Sequence, residues 1–291
     1  MGERQVIELD DKLLESDIDY GKMYDSLDEA EKELKDNIKQ NKYYSGLCKK
    51  CDPEGNLYVD INGVICVLER NEVSIPTYSK QYESTQVHKG LCQSKVGTYI
   101  KAKVLRVDNE GEDIETIYIT RKDFVKSIQN LYDTRLTEGS IVTGKVTNID
   151  EQKGVFVDIG GDYTGIIPRN YLENLFVTNL YDHVSLGEKV KVIVLELKKN
   201  SNGQITHLVL DRKSLLPKFN KLAKHYKKGD IVLAKIKSIQ EAGIYCSLDK
   251  HLDIICDFDN NRYKSGQEVR VRINSVKYDK QRISGIIVSK I

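Results

Sequence analysis

The chain has 291 residues, with 45 Lys and Arg against 44 Asp and Glu, and a formal net charge of +1. That balance excludes a protein that grips a polyanion by a global excess of positive charge. A content of 40% hydrophobic and 31% charged residues excludes a chain that is disordered throughout.

The first 40 residues hold thirteen acids and six bases, a net of −7. Within this acidic arm, Ser26 stands three residues before Glu29, a capping-box spacing. Leu27, Ala30, Leu34 and Ile38 then share one helical face. The pattern predicts a short amphipathic helix, which either docks on its own domain or serves a partner such as a ribosome. Residues 1–20 read as extended or disordered. The N-terminus has no basic-then-apolar leader, and no apolar run approaches the ~20 residues that span a bilayer. The expectation is a cytoplasmic protein with no membrane partner.

From residue 41 onward the chain repeats. Residues 141–149 (IVTGKVTNI) and 231–239 (IVLAKIKSI) alternate apolar and polar residues, the period of a half-buried strand, and 43–51 (YYSGLCKKC) is a weaker copy. Each precedes a turn and a second strand that carries an aromatic: Tyr58, Phe156 and Tyr245. The distances from the first-strand Gly46, Gly144 or Ala234 to that aromatic are 12, 12 and 11 residues. A second half repeats too. Gly97, Gly187 and Gly266 each open a strand that leads through a polar turn to a last strand, ending 25, 26 and 25 residues on. Only the middle varies, at 39, 31 and 21 residues from aromatic to Gly. Loops absorb such differences and strands do not. Residues 70–95 read as an insertion in the first unit.

Five strands per unit with a variable middle connection describe a small Greek-key barrel of the OB type. The predicted fold is mainly β: three tandem five-stranded OB barrels at 41–122, 137–213 and 228–291, behind a 1–40 arm. Two linkers are predicted helical. In 123–136, Phe124, Ile128 and Leu131 fall at helical spacing. In 214–227, Leu215, Leu216, Phe219, Leu222 and Tyr226 form an apolar stripe, with Pro217 near its start. This second linker is basic: 213–228 carries six Lys and no acid, and 229–291 adds a further +3. Near-neutrality is therefore a cancellation between segments, and screening over about 8–10 Å lets them act separately.

Residues 138–213 resemble the S-one-type RNA-binding domain. The resemblance rests on the GxV opening, the GVFVD strand, the GIIP corner, the GEKVKVIVLEL strand and the closing LDRK. The third unit resembles it through GIYCSL, GQEVRVRI and YDKQRISGIIVSK, and the first, more divergent, through LYVDING and IKAKVLRVD. The resemblance implies single-stranded RNA binding on a face around the second and third strands, with Tyr58, Phe156 and Tyr245 stacking on bases. Arg169 at the corner of the second unit is a further RNA-binding candidate, and the resemblance implies Asp279 and Arg282 at the last turn of the third. Lys235, Lys237, Arg270 and Arg272 stand nearby, which makes the third unit the best candidate for the main RNA face. Departures from the family pattern are plain. A second aromatic before the strand is replaced by Gly55, Lys153 and Ala242, and the family's His by Glu69 and Pro168. Asp108 is kept in the first unit without a matching Arg.

Other chemistry is not expected. Cys48 and Cys51 form a CxxC, but they align with Val146 and Ile236, and with Ile149 and Ile239, which are apolar core slots. No metal and no cofactor is predicted. No phosphate loop or nucleophile elbow occurs, and the barrels leave no spare domain for catalysis, so the protein is not expected to be an enzyme. Two functions remain open: non-catalytic RNA binding in translation or RNA handling, and a protein-interaction module whose arm and linker helices carry the contacts.

Overall fold

The computed structural model describes residues 6–7, 26–38, 40, 42–73, 85–109, 115–175, 177, 179–257 and 263–291. Most of the acidic arm lies outside them, and so does the expectation of extended or disordered chain there. The chain divides into two compact units. One comprises Met1–Ile167 and Val184–Leu210; the other comprises Pro168–His183 and Asp211–Ile291.

In the first unit, helix α1 (Leu27–Asp36) starts at Ser26, whose side chain accepts a hydrogen bond from the Glu29 amide at 3.2 Å. Ala30 and Leu34 are buried, and Leu34 joins the core of the barrel that follows, with Ile38 packed against it. The helix thus docks on its own domain. Leu27, at 60% exposed, is the outlying member of the predicted face.

That barrel runs β1 (Tyr44–Cys51), β2 (Leu57–Ile61), β3 (Val64–Leu68), then α2 (Arg70–Val73) and α3 (Thr85–Lys95), then β4 (Tyr99–Asp108) and β5 (Thr116–Thr120). The sheet closes in the order β1-β2-β3-β5-β4, with β3 and β5 parallel and the other four pairs antiparallel. The insertion expected at 70–95 carries a helix at each end, and its middle, 74–84, lies outside the described residues. Helix α4 (Lys122–Arg135) follows, and then the second barrel: β6 (Ile141–Asp150), β7 (Gly154–Asp158), β8 (Thr164–Ile167), β9 (Lys189–Lys199) and β10 (Ile205–Asp211). It closes in the same order.

Helix α4 holds this unit together. It buries Phe124, Val125, Ile128, Gln129 and Tyr132, so the apolar stripe turns through Tyr132 while the predicted Leu131 is half-buried. The Tyr132 hydroxyl donates to the Ile159 carbonyl at 2.5 Å, and Gln129 Nε2 donates to the Gly161 carbonyl at 3.0 Å. Gly161 has φ +65°, and a Cβ there would lie 2.9 Å from Ile128 Cγ2, so the helix crosses where only glycine fits. Just before the helix, Arg121 is fully buried and forks onto Asp162 at 3.0 Å through both Nη atoms, while also donating to the Val73 carbonyl. Lys95 reaches the same carboxylate at 3.2 Å.

The second unit contains the third barrel: β11 (Ile231–Gln240), β12 (Gly243–Asp249), β13 (Leu252–Cys256), β14 (Glu268–Lys277) and β15 (Arg282–Lys290), again in the same closed order. The predicted linker helix over 214–227 is shorter than its apolar stripe suggests. A 3₁₀ turn at Lys213–Leu215 is followed by extended Leu216 and Lys218, and only α5 (Phe219–Ala223) is α-helical. Pro217 is the cause, since the residue before a proline is driven out of the α region.

Substituting Asp162 by Asn should separate charge from shape, because Asp162 sits at φ +61° and Asn tolerates that conformation. Removing the Asp162 charge from beside buried Arg121 is expected to cost about 3–5 kcal/mol, read as a shift of the urea unfolding transition. A loss below about 1 kcal/mol would show that solvent screens the pair.

Candidate nucleic-acid interface

Each barrel begins with a strand shared between two neighbours. The first halves of β1, β6 and β11 pair with β4, β9 and β14, and their second halves pair with β2, β7 and β12. In all three a bulge falls at the equivalent place: Cys48/Lys50, Val146/Asn148 and Ile236/Ser238. Past the bulge, the partners of Lys50, Asn148 and Ser238 are Tyr58, Phe156 and Tyr245. These aromatics are half-buried, between fully buried neighbours on the same strand. They point out of the barrel, while Val59, Val157 and Cys246 point in.

The three outer faces differ. In the first barrel one row crosses the sheet as Lys50, Tyr58, Val67, Tyr118 and Arg106, paired in that order. Lys50 Nζ lies 4.4 Å from the Tyr58 ring centre, and the Arg106 guanidinium carbon lies 3.8 Å from the Tyr118 ring centre. In the third barrel the same row reads Ser238, Tyr245, Ile255, Ser284 and Ser275. In the second, Asn148, Phe156, Ile166 and Val209 follow one another.

The second unit has a cleft of about 410 Å³ beside Tyr245. Three stretches of chain wall it: Asn174 and Leu175, then Lys218 and Phe219, and the barrel's own Tyr245, His251, Asp253, Ile255 and Arg282. Phe219 packs edge-on to Tyr278, with ring centres 6.0 Å apart. The Asn174 wall is tethered. His251 Nδ1 lies 2.8 Å from Glu173 Oε2, and the Asn174 amide donates to Glu173 Oε1 at 2.8 Å.

Of the predicted residues, Tyr245 and Arg282 meet in this cleft. Lys237 reaches it only through Asp253, to which it donates at 3.1 Å. Burial pushes the Asp253 carboxyl up, against the pull of Lys237. Lys235, Arg270 and Arg272 are exposed on β11 and β14, beside exposed Ile231 and Leu233, and Asp279 is exposed in the β14–β15 turn. Arg169 is half-buried and donates to the Val177 carbonyl at 3.0 Å, closing the loop it belongs to. Sequence reasoning missed Tyr118, Arg106 and Phe219. The alternation of TIYIT marked Tyr118 as outward, but only the parallel β3–β5 pairing aligns it with Tyr58.

Cys48 is buried in the first barrel's core and Cys51 packs against it, as their alignment with apolar slots predicts. Burial pushes the Cys66 thiol up to about 12 and the Cys92 thiol to about 11.

His183 is buried beside this tethered wall, and burial pulls its ring below the usual 6.5, with Lys237 adding to the effect. A depressed folded-state value contributes stability above pH 6.5 that is lost as pH falls through the folded value. The thermal midpoint of this unit should therefore drop on acidification below pH 6.5, and His183→Gln should flatten the drop. An unchanged slope in the variant would assign the effect to another group.

Residues 135–207 match the S1 RNA binding domain family, a span that runs from the end of α4 through β6 to β9 and into β10 of the second barrel. The chain is 23% identical over 274 residues to small ribosomal subunit protein bS1 of Neisseria meningitidis serogroup B, covering 89% of this chain and 45% of that protein. It is 24% identical over 298 residues to the bS1 protein of Pseudomonas aeruginosa, covering 97% and 50%. The chain thus spans about half the length of these curated relatives. Among solved structures, GSP13 from Bacillus subtilis matches 29% of this chain and 62% of its own, at 27% identity and a TM-score of 0.25. A multidomain protein with nucleic acid binding domains from Streptococcus pneumoniae TIGR4 matches 85% and 73%, at 15% identity and a TM-score of 0.24. No helix among the described residues is long and apolar enough to cross a membrane. The chain is thus three closed barrels of one topology, of which the middle one matches the S1 RNA binding domain family.

Proposed function

We propose that the chain binds single-stranded RNA without catalysis, as part of translation, with its three barrels engaging one strand together. The observation that carries the reading is the outward aromatic at one equivalent place in each barrel, Tyr58, Phe156 and Tyr245. An apolar core would use an inward ring. A half-buried outward ring offers a π face to any base, and each stacked base is worth roughly 1–3 kcal/mol. The bS1 relatives support translation as the setting and a ribosome as a further partner. The compartment that goes with this reading is the cytoplasm.

The cleft beside Tyr245 is the strongest single site in this reading. Lys218 and Arg282 supply positive charge at its wall, and Phe219 adds the second aromatic that Ala242 does not provide. Lys237 supports the site by neutralising Asp253 rather than by meeting phosphate. Linking three modest sites raises avidity by about 10²–10⁴ when geometry allows them to act together.

Fluorescence anisotropy with a labelled, unstructured RNA of about 20–30 nucleotides, long enough for three OB folds, tests this. The expected result is salt-dependent binding that Tyr245→Ala weakens by about tenfold. Binding no tighter than that of a neutral control protein at low salt would refute it, and would leave protein interaction as the function of the barrels.

A further inference from the structure

The Arg106–Tyr118 pair on the first barrel has no counterpart among the described rows of the other two. Ser275 and Ser284 stand at its place in the third barrel, bonded to each other at 2.8 Å. Arg106 follows the β4 bulge at Val104/Arg106, which turns its side chain onto the outer face. Three of its five N–H donors are engaged by carboxylates. Nη1 and Nη2 donate to the two Glu69 oxygens at 3.1 and 3.2 Å, and Nε donates to Asp108 at 3.2 Å. One face of the guanidinium lies over the Tyr118 ring. The face turned away from Tyr118 is open on a side chain that is 40% exposed.

Such an arginine is poorly placed to grip phosphate, because an incoming phosphate would meet two carboxylates along its donor edges. It is well placed to stack. Guanidinium planes stack on nucleobases as aromatic rings do, and the two carboxylates hold this plane fixed before any ligand arrives. Resting on the RNA-binding reading above, we propose that Arg106 and Tyr118 form a second base platform on the first barrel, where a nucleobase stacks on the guanidinium face. Tyr58, two strands away and so about 9–10 Å off, takes a neighbouring unstacked base of the same strand. Glu69 and Asp108, which break the family pattern at one position and lack its Arg partner at the other, act as the clamp that keeps Arg106 planar and stacked.

The test compares the full chain with Arg106→Ala, Arg106→Lys and Tyr118→Ala in titrations of single-stranded RNA across a salt series, each variant first checked for an unchanged thermal midpoint. A stacking arginine predicts about tenfold weaker binding for Arg106→Ala, an unchanged salt slope, and no rescue by Lys, which has charge but no plane. Tyr118→Ala should lose a similar amount; should that variant melt early, the Ala–Lys comparison at position 106 decides alone. Rescue by Lys, with a slope lower by about 0.7 in the Ala variant, would mean a phosphate contact and overturn the proposal. Unaltered affinity in the Arg106 variants would overturn it as well while leaving the RNA reading intact. Failure of the unaltered chain to bind would remove the RNA reading first, and this inference with it.

Discussion

The structure depends on one device used three times, a first strand that belongs to both sides of its barrel. A five-stranded sheet closes only if a strand bends enough to pair with one neighbour along its first half and another along its second. Here the bend is taken up by a bulge after Cys48, Val146 and Ile236. The small residue two places earlier makes room for it. A Cβ at Gly46 would lie 2.5 Å from Val59 Cγ1, and one at Gly144 would lie 2.5 Å from Val157 Cγ1. Ala234 occupies the slot in the third barrel, so a Cβ is accommodated there. Because side chains alternate with a period of two, the register set at the bulge decides that the aromatic of the next strand faces out and its neighbours face in. The proposed base-stacking surface follows from that parity.

Within the first unit, the barrels are joined by chemistry that is specific rather than merely apolar. Asp133, near the end of α4, accepts from the Tyr163 hydroxyl at 2.8 Å and from the Ile205 amide at 3.1 Å. Asp162, at the other end of the contact, serves Arg121 and Lys95. Helix α4 thus sits in a set of directional bonds that fix its rotation as well as its position.

Much of this was legible in sequence, for a physical reason. Strand alternation, glycine at close approaches and the spacing from bend to aromatic are local properties, and they repeat three times. The core placement of Cys48 came from aligning it with Val146 and Ile236, and the same alignment placed Tyr58, Phe156 and Tyr245. What sequence could not carry was non-local pairing. By sequence Lys237 is a cation for RNA, but Asp253, sixteen residues on, holds it. Arg106 shows no function by its place in the chain, and its setting takes shape only where Glu69, Asp108 and Tyr118 meet around it. The helix expected over 214–227 is shortened to Phe219–Ala223 because Pro217 outweighs the apolar stripe before it.

Photo-crosslinking of the intact chain to a uniformly labelled single-stranded RNA, followed by mass spectrometry of the linked peptides, tests the central claim most directly. The account predicts nucleotide adducts on the peptides that carry Tyr58, Phe156 and Tyr245, the outward rings beside the three bulges. Adducts confined to the arm and linkers, with none on the second strand of any barrel, would contradict it.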